Sequence, residues 1–413
     1  KNEQELQSFF IKQVEKMVNA KGKNMIGWNE ILEGGLAPNA TVMSWQGEEG
    51  GIIAAKAGHD VIMTPMEYNY LDLRQGQAES EPNLGYSQAL LSTCYNYKVV
   101  PDGLTEEEAD RIMGIQGNLW TESISDWEKV TYMTFPRLFA VAENSWTSES
   151  AQDFDDFIER LQPQLRRFDA KGIRYAKSVF NPWIHQKGNG SSIEITLDSE
   201  LNSPEIRYTL DGSEPTEKSR LYVAPFTLKE TKTIKSAIFK NGGRLGDVIE
   251  NTFPIHKAAG AKVVSDHPFS EKDEAAKVQA LTDLNYGQVE VDGDNNWQVF
   301  YDDFDVTLEL DHPTDIEEVV VNTLRLTIFG VYPPLQLEVY GSTDGKMFKK
   351  IGETDLSDIA LVQGRNRIVG KIKCPASGLT KIRVKAKLLK QIPKEHHKAG
   401  DKAYLKIDEI LVL

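Results

Sequence analysis

Four short stretches near the start of this 413-residue chain set aromatic rings beside carboxylates or amides: Trp28-Asn29-Glu30, Ser44-Trp45-Gln46, Tyr68-Asn69-Tyr70-Leu71-Asp72 and Leu119-Trp120-Thr121-Glu122. Flat apolar rings cover the C–H faces of a sugar, and carboxylates accept hydrogen bonds from its hydroxyls. A phosphate would call for glycine-rich amides or arginines, so the mixture suits a neutral, polyhydroxylated ligand. One such tryptophan alone is ordinarily core packing, and Asp72 or Glu122 alone is as readily a solvated loop charge. Four repeats of one pattern point to a site.

Each stretch closes or follows a strand-like run, at residues 25–28, 41–45, 61–64 and 112–120. Helical patterns fill the intervals. Leu6, Phe9, Phe10, Val14, Met17 and Val18 recur at helical spacing up to a stop at Gly22, and further helices are predicted at 48–57, 106–112, 127–144 and 154–171. Pro136 lies inside an apolar stretch and should start or kink its helix. Strands alternating with helices mean βαβ units and a parallel sheet. In a barrel of parallel strands the C-terminal ends form the active face, which is where the aromatic tips would gather.

Beyond Gly188-Asn189-Gly190-Ser191-Ser192, a linker-like composition, the hydrophobic period becomes 2, as in Ile193-Glu194-Ile195-Thr196-Leu197 and Ile206-Arg207-Tyr208-Thr209-Leu210. A second break falls near Lys257-Ala258-Ala259-Gly260, and the rest is again strand-rich. The expected organisation is therefore an α/β segment over 1–187, a small β-sandwich over 188–257 and a larger jelly-roll sandwich over 258–413.

The formal charge of −15 argues against a nucleic-acid protein, because a polyanion needs a basic face. Lysines and arginines crowd residues 371–406, but they alternate with apolar residues, as on a solvated sheet face. No apolar run reaches the roughly 20 residues of a membrane helix. Cys94 and Cys374 offer neither a disulfide framework nor zinc-ligand spacing. No metal and no cofactor are expected.

The segments Ile26-Gly27-Trp28-Asn29-Glu30-Ile31, Val42-Met43-Ser44-Trp45-Gln46-Gly47, Tyr70-Leu71-Asp72 and Gly117-Asn118-Leu119-Trp120-Thr121-Glu122 closely resemble, in the family's order, the family 20 glycoside hydrolases, the β-N-acetylhexosaminidases. The resemblance covers roughly residues 1–175 and implies strands five to eight of a (β/α)8 barrel. Carried over by position, it makes Trp28, Trp45 and Trp120 the walls of a pocket for a terminal N-acetylhexosamine. Tyr70 would hydrogen-bond the acetamido carbonyl, and Asp72 and Glu122 would hold outer hydroxyls of the non-reducing sugar. The family has one further tryptophan before its last strand, and Tyr86 is the residue that could stand there. The middle domain, with Tyr208-Thr209-Leu210-Asp211-Gly212-Ser213, resembles the Ig-like module of bacterial hexosaminidases. The last domain, with Asn296-Trp297-Gln298-Val299-Phe300 and Val339-Tyr340-Gly341-Ser342, resembles the discoidin or coagulation-factor type C fold. In it Trp297 reads as core in preference to a sugar platform, and Tyr332-Pro333-Pro334 as a candidate binding edge.

Family 20 enzymes use no protein nucleophile: the substrate's own acetamido oxygen attacks, assisted by an adjacent Asp-Glu pair. The resemblance puts that pair on the strand before the one bearing Trp28, hence before Lys1. The adjacent acids present, Glu48-Glu49 and Asp155-Asp156, fall on helical stretches. The chain thus carries half of a barrel that typically needs about 250 residues. By itself it is expected to be inactive, its partner being the missing N-terminal half and its substrate an N-acetylhexosamine-containing glycan. A secreted, periplasmic or cell-surface location follows from the family. The competing expectation is a non-catalytic, lectin-like glycan-binding protein.

Overall fold

The structure, a computed structural model, describes residues 2–77, 81–82, 87–265, 278–289 and 296–413; Tyr86 lies outside them. The chain divides into two units, Lys1–Asn181 with Ser199–Ser203, and Pro182–Asp198 with Pro204–Leu413.

The first unit opens on α1 (Glu3–Asn19), capped by the Asn2 side chain, which accepts from Glu5 N. Very short parallel strands follow: β1 (Ile26–Trp28), β2 (Thr41–Ser44), β3 (Val61–Met63) and, later, β4 (Ile112–Ile115). They pair in the order β1-β2-β3-β4. Between them lie α2 (Glu49–Lys56), α3 (Met66–Asn69), α4 (Leu91–Tyr95) and α5 (Glu106–Ala109). After β4 come α6 (Trp127–Thr134), α7 (Arg137–Trp146) and α8 (Phe154–Lys171).

Alternation assigns the faces of this sheet. Val42, Val61 and Met63 are buried with Ala54 and Ala55 of α2. Gly51 lets that helix approach, since a Cβ there would lie 2.5 Å from the Met63 sulfur. The opposite face carries Ile26, Trp28, Met43 and Ile62, of which Ile26 is exposed and the others half-buried.

As its position in the stretch 127–144 led us to expect, Pro136 starts a new helix, at the N-cap of α7. Three sequence expectations are corrected. The last strand ends at Ile115, and the chain reaches Trp120 through irregular backbone. On α1 the apolar residues Leu6, Phe9, Phe10 and Met17 are exposed, while Ile11, Val14 and Val18 face the core. Ser8 and Glu15 are buried because they hold the following loop, through Gly35 O at 2.5 Å and Asn39 N at 2.6 Å. Finally, the linker-like Gly188–Ser192 region is a hairpin: Trp183–Asn189 pairs with Ser192–Asp198, and Gly190 turns at φ +63°.

The second unit is antiparallel. A three-stranded sheet contains that hairpin with Phe226–Leu228, and a five-stranded sheet is built on Lys232–Lys240. A seven-stranded sheet surrounds two 23-residue strands, Phe304–Leu326 and Arg365–Lys387. Within it Trp297 is buried beside Leu324, Leu326 and Val331, donating its indole N–H to Gln288 O at 3.0 Å. Tyr332 is buried with Ile392 and Ala403, so the candidate edge at this residue is core. Cys94 and Cys374 are buried, free thiols.

Candidate active site

The tips of the four parallel strands converge on a group of rings. Trp28 and Trp120 lie 5.7 Å apart between centroids, Tyr70 and Trp120 6.1 Å, and Tyr70 and Trp45 6.2 Å with planes only 21° apart. Each separation falls in the range of favourable aromatic pairs. Trp120 remains 40% exposed and Tyr70 only 6%, so the phenol is the buried member of this group of rings, here called the cup, and the Trp120 indole faces solvent.

Side-chain ties fix the tips where regular backbone ends. After Trp28 the chain makes a 3-10 turn over Asn29–Leu32, folding Ile31 back over Gly27; a Cβ on Gly27 would lie 2.8 Å from that side chain. Asn29 accepts from Trp45 N at 3.2 Å and donates to Gln46 Oε1 at 3.2 Å. Glu30 accepts the Trp45 indole N–H, with both carboxylate oxygens 3.1 Å from Nε1. On the other side Tyr70 bridges to Asn118 in parallel fashion. Leu71 N donates to Asn118 O at 2.6 Å. The Asn118 side chain accepts from Gln116 at 2.6 Å and donates to Thr64 Oγ1 at 2.6 Å.

Burial pushes the Tyr70 phenol above its ordinary value of 10.0; hydrogen bonds with Trp120 and Asn118 oppose this, and the Asp72 and Glu30 carboxylates reinforce it. The phenol is therefore an O–H donor at neutral pH. Asp72 is buried beside it, whereas Glu122 is exposed, two residues beyond Trp120. The acidic pairs sit elsewhere, Glu48-Glu49 at the N-terminus of α2 and Asp155-Asp156 in the first turn of α8, where negative charge complements the helix dipole. Among the described residues no group of three or more His, Cys, Asp or Glu is arranged to hold a metal.

Two residues escaped the sequence reading. Glu30 stood inside a quoted motif but was not separated from its neighbours. Arg137, fully buried, reaches behind the cup: Nη1 donates to Ala89 O at 3.1 Å and Tyr70 O at 3.4 Å, and Nη2 to Leu71 O at 2.5 Å and Met133 O at 2.8 Å. Burial lowers its affinity for its proton, and Cys94, Glu81, Asp72 and Glu200 counter that electrostatically. A lone cation within Phe135-Pro136-Arg137-Leu138-Phe139 was its only sequence signal.

Short parallel strands with interleaved helices thus carry aromatic and acidic side chains at their tips, a mixture that suits a sugar ligand. Residues 1–149 match the model for glycosyl hydrolase family 20, catalytic domain. Residues 195–253 match a model described as Fn3 associated. A β-hexosaminidase of Porphyromonas gingivalis is 43% identical over 255 residues, covering 60% of this chain and 32% of that protein. A β-N-acetylhexosaminidase of Cellulomonas fimi is 32% identical, covering 43% of this chain and 35% of that one. The chain therefore spans about a third of the length of these relatives. A solved family 20 exo-β-N-acetylglucosaminidase of Vibrio harveyi, in complex with N-acetylglucosamine, is 33% identical over 42% of this chain and 28% of its own, at a TM-score of 0.40.

Proposed function

We propose that this chain forms the sugar-binding part of a β-N-acetylhexosaminidase that removes terminal non-reducing N-acetylhexosamine from glycans outside the cytoplasm. The observation that carries the reading is the unbroken series of rings from Trp28 through Trp120 and Tyr70 to Trp45, each pair 5.7–6.2 Å apart. Three indoles and a phenol suit one flat-faced sugar with a small apolar acyl group. The four strands are then strands five to eight of a (β/α)8 barrel. The strand-rich remainder is an Ig-like spacer followed by a discoidin-like sandwich.

In this reading Tyr70 donates to the acetamido carbonyl and aims its oxygen at the anomeric carbon. That oxygen attacks, the glycosidic C–O bond breaks, and the departing oxygen takes a proton from a glutamic acid. Water then opens the oxazolinium intermediate with overall retention. Asp72 and Glu122 hold the outer hydroxyls, which makes the action exo. Among the described residues no adjacent Asp-Glu pair lies at the cup, and in this reading residues 1–413 by themselves do not turn over substrate.

The test is hydrolysis of 4-nitrophenyl N-acetyl-β-D-glucosaminide by the natural protein carrying this sequence, beside the corresponding β-glucoside that lacks the acetamido group. Equal turnover of the two refutes substrate assistance. Robust hydrolysis by the purified 413-residue chain refutes the claim that it is inactive alone.

A further inference from the structure

One polar link closes the ring of contacts at the strand tips. Trp28 of β1 meets Trp120 beyond β4, Trp120 meets Tyr70, and Tyr70 stacks on Trp45 beyond β2. Trp45 returns to β1 through Glu30, which follows that strand by two residues and receives the indole N–H on both carboxylate oxygens at 3.1 Å. The neighbouring Asn29 holds the Trp45 backbone amide at 3.2 Å. One dipeptide thus ties both the main chain and the ring of Trp45. Stacking against Tyr70 leaves an indole free to slide or turn in its plane, because dispersion is not directional. A hydrogen bond to its edge removes that freedom, and an ionised acceptor does so more strongly than a neutral one.

We infer that Glu30 is a specificity-determining positioning residue, which pins the Trp45 wall so that the N-acyl group of the bound amino sugar is limited to acetyl. The inference rests on the reading of the cup as an N-acylhexosamine site and adds what sets its width. Glu30 touches no reacting atom; it acts through Trp45. A fixed apolar wall discriminates by about 10–200-fold for a misfit of one methylene. A loose wall gives most of that back.

The experiment compares N-acetyl, N-propanoyl and N-butanoyl 4-methylumbelliferyl β-glucosaminides on the natural protein, reading kcat/KM for each. Wild type should prefer acetyl over butanoyl by at least about 100-fold. Glu30→Ala should shrink that ratio by roughly tenfold. Glu30→Gln keeps an acceptor oxygen and should hold the ratio within about threefold of wild type. Glu30→Met, which keeps the bulk and removes the acceptor oxygens, should lower the ratio as Glu30→Ala does. Should Glu30→Ala fail to fold, Glu30→Met is decisive alone. A ratio unchanged in Glu30→Ala, or in Glu30→Met when that variant stands alone, overturns the positioning role and leaves the hexosaminidase reading intact. A wild-type protein that does not hydrolyse the N-acetyl substrate overturns both.

Discussion

Replacing Tyr70 by phenylalanine removes a single hydroxyl and leaves the ring stacked on Trp45 at 6.2 Å and tilted against Trp120 at 6.1 Å. The floor of the cup keeps its shape, so substrate should still be admitted. What disappears is the donor to which the proposed function gives the aiming of the acetamido oxygen. A net hydrogen bond to a neutral acceptor contributes about 0.5–1.5 kcal/mol. Removing a preorganised donor from an active site typically costs about 3–4 kcal/mol of barrier, because reach and alignment are lost with it. Tyr70 is 6% exposed and anchored on both sides, which places it toward the preorganised end of that range. The expected barrier increase of about 2–4 kcal/mol corresponds to a fall in kcat of roughly 30- to 1000-fold. KM should change by less than about fivefold. The assay is steady-state hydrolysis of a chromogenic N-acetylglucosaminide by the natural protein, with thermal unfolding as a check on folding. Because its pKa is raised above 10.0, the phenol stays protonated through the usual assay range, and the wild-type pH profile should carry no limb from it there. An unchanged kcat with a raised KM would show that Tyr70 binds ground state and transition state alike, and would refute the reasoning.

Arg137→Met should destabilise the first unit by about 3–5 kcal/mol in urea unfolding, because the carbonyls of Leu71, Ala89 and Met133 lose buried donors together. A change under about 1 kcal/mol would contradict its role. Glu200 has its carboxyl end sunk, with Ser92 N donating to one oxygen and the other unpartnered, and burial raises it from 4.5 to about 7. The folded state therefore holds more protons than the unfolded one between those values, so this group lowers stability as pH rises from about 4.5 to 7. Glu200→Gln should leave stability nearly unchanged at pH 4 and raise it by up to about 3 kcal/mol at pH 8; the reverse order in chemical unfolding at the two pH values would contradict it. Trp297→Ala should cost about 3–5 kcal/mol of stability in the second unit through its buried cluster and the Arg367 guanidinium 5.4 Å above its ring. Retention of the wild-type unfolding midpoint by that variant would contradict the core role of Trp297.

Much of the fold was legible because it is periodic. The first three strands and α8 announced themselves through apolar spacing and end signals, and the structure differs from those expectations by a residue or two. The differences arose where one composition serves two geometries. Glycine, asparagine and serine make a linker, but they equally make a hairpin turn, and pairing of Trp183–Asn189 with Ser192–Asp198 decided for the turn. By composition, alternating runs lie at 306–310 and 319–322, and Pro313 falls between them. They are one strand, Phe304–Leu326, whose register shifts between Glu309, Thr314, Ile316 and Glu318 absorb the proline as a bulge. On α1 two apolar faces competed, and the burial of Ser8 and Glu15 against loop amides and carbonyls, invisible to hydrophobic periodicity, selected the other one.

The site divides along the same line between pattern and contact. Aromatic tips repeat, so Trp28, Trp45, Tyr70 and Trp120 could be read from type and spacing, and the structure draws their rings together. The groups that hold them do not repeat. Glu30 reaches Trp45 across 15 residues, Thr64 reaches Asn118 across 54, and Arg137 reaches Tyr70 across 67. Strands of three or four residues cannot transmit a fixed geometry to their tips by backbone pairing alone, since each contributes only a few ladder hydrogen bonds before the chain turns irregular. The buried carbonyls and the indole edge beyond the last ladder bond must then find donors or acceptors from side chains. A site on strands this short obtains its precision from such polar ties. Changes at Glu30, Asn118 or Arg137 should therefore disturb the cup more than comparable changes in its surrounding apolar core.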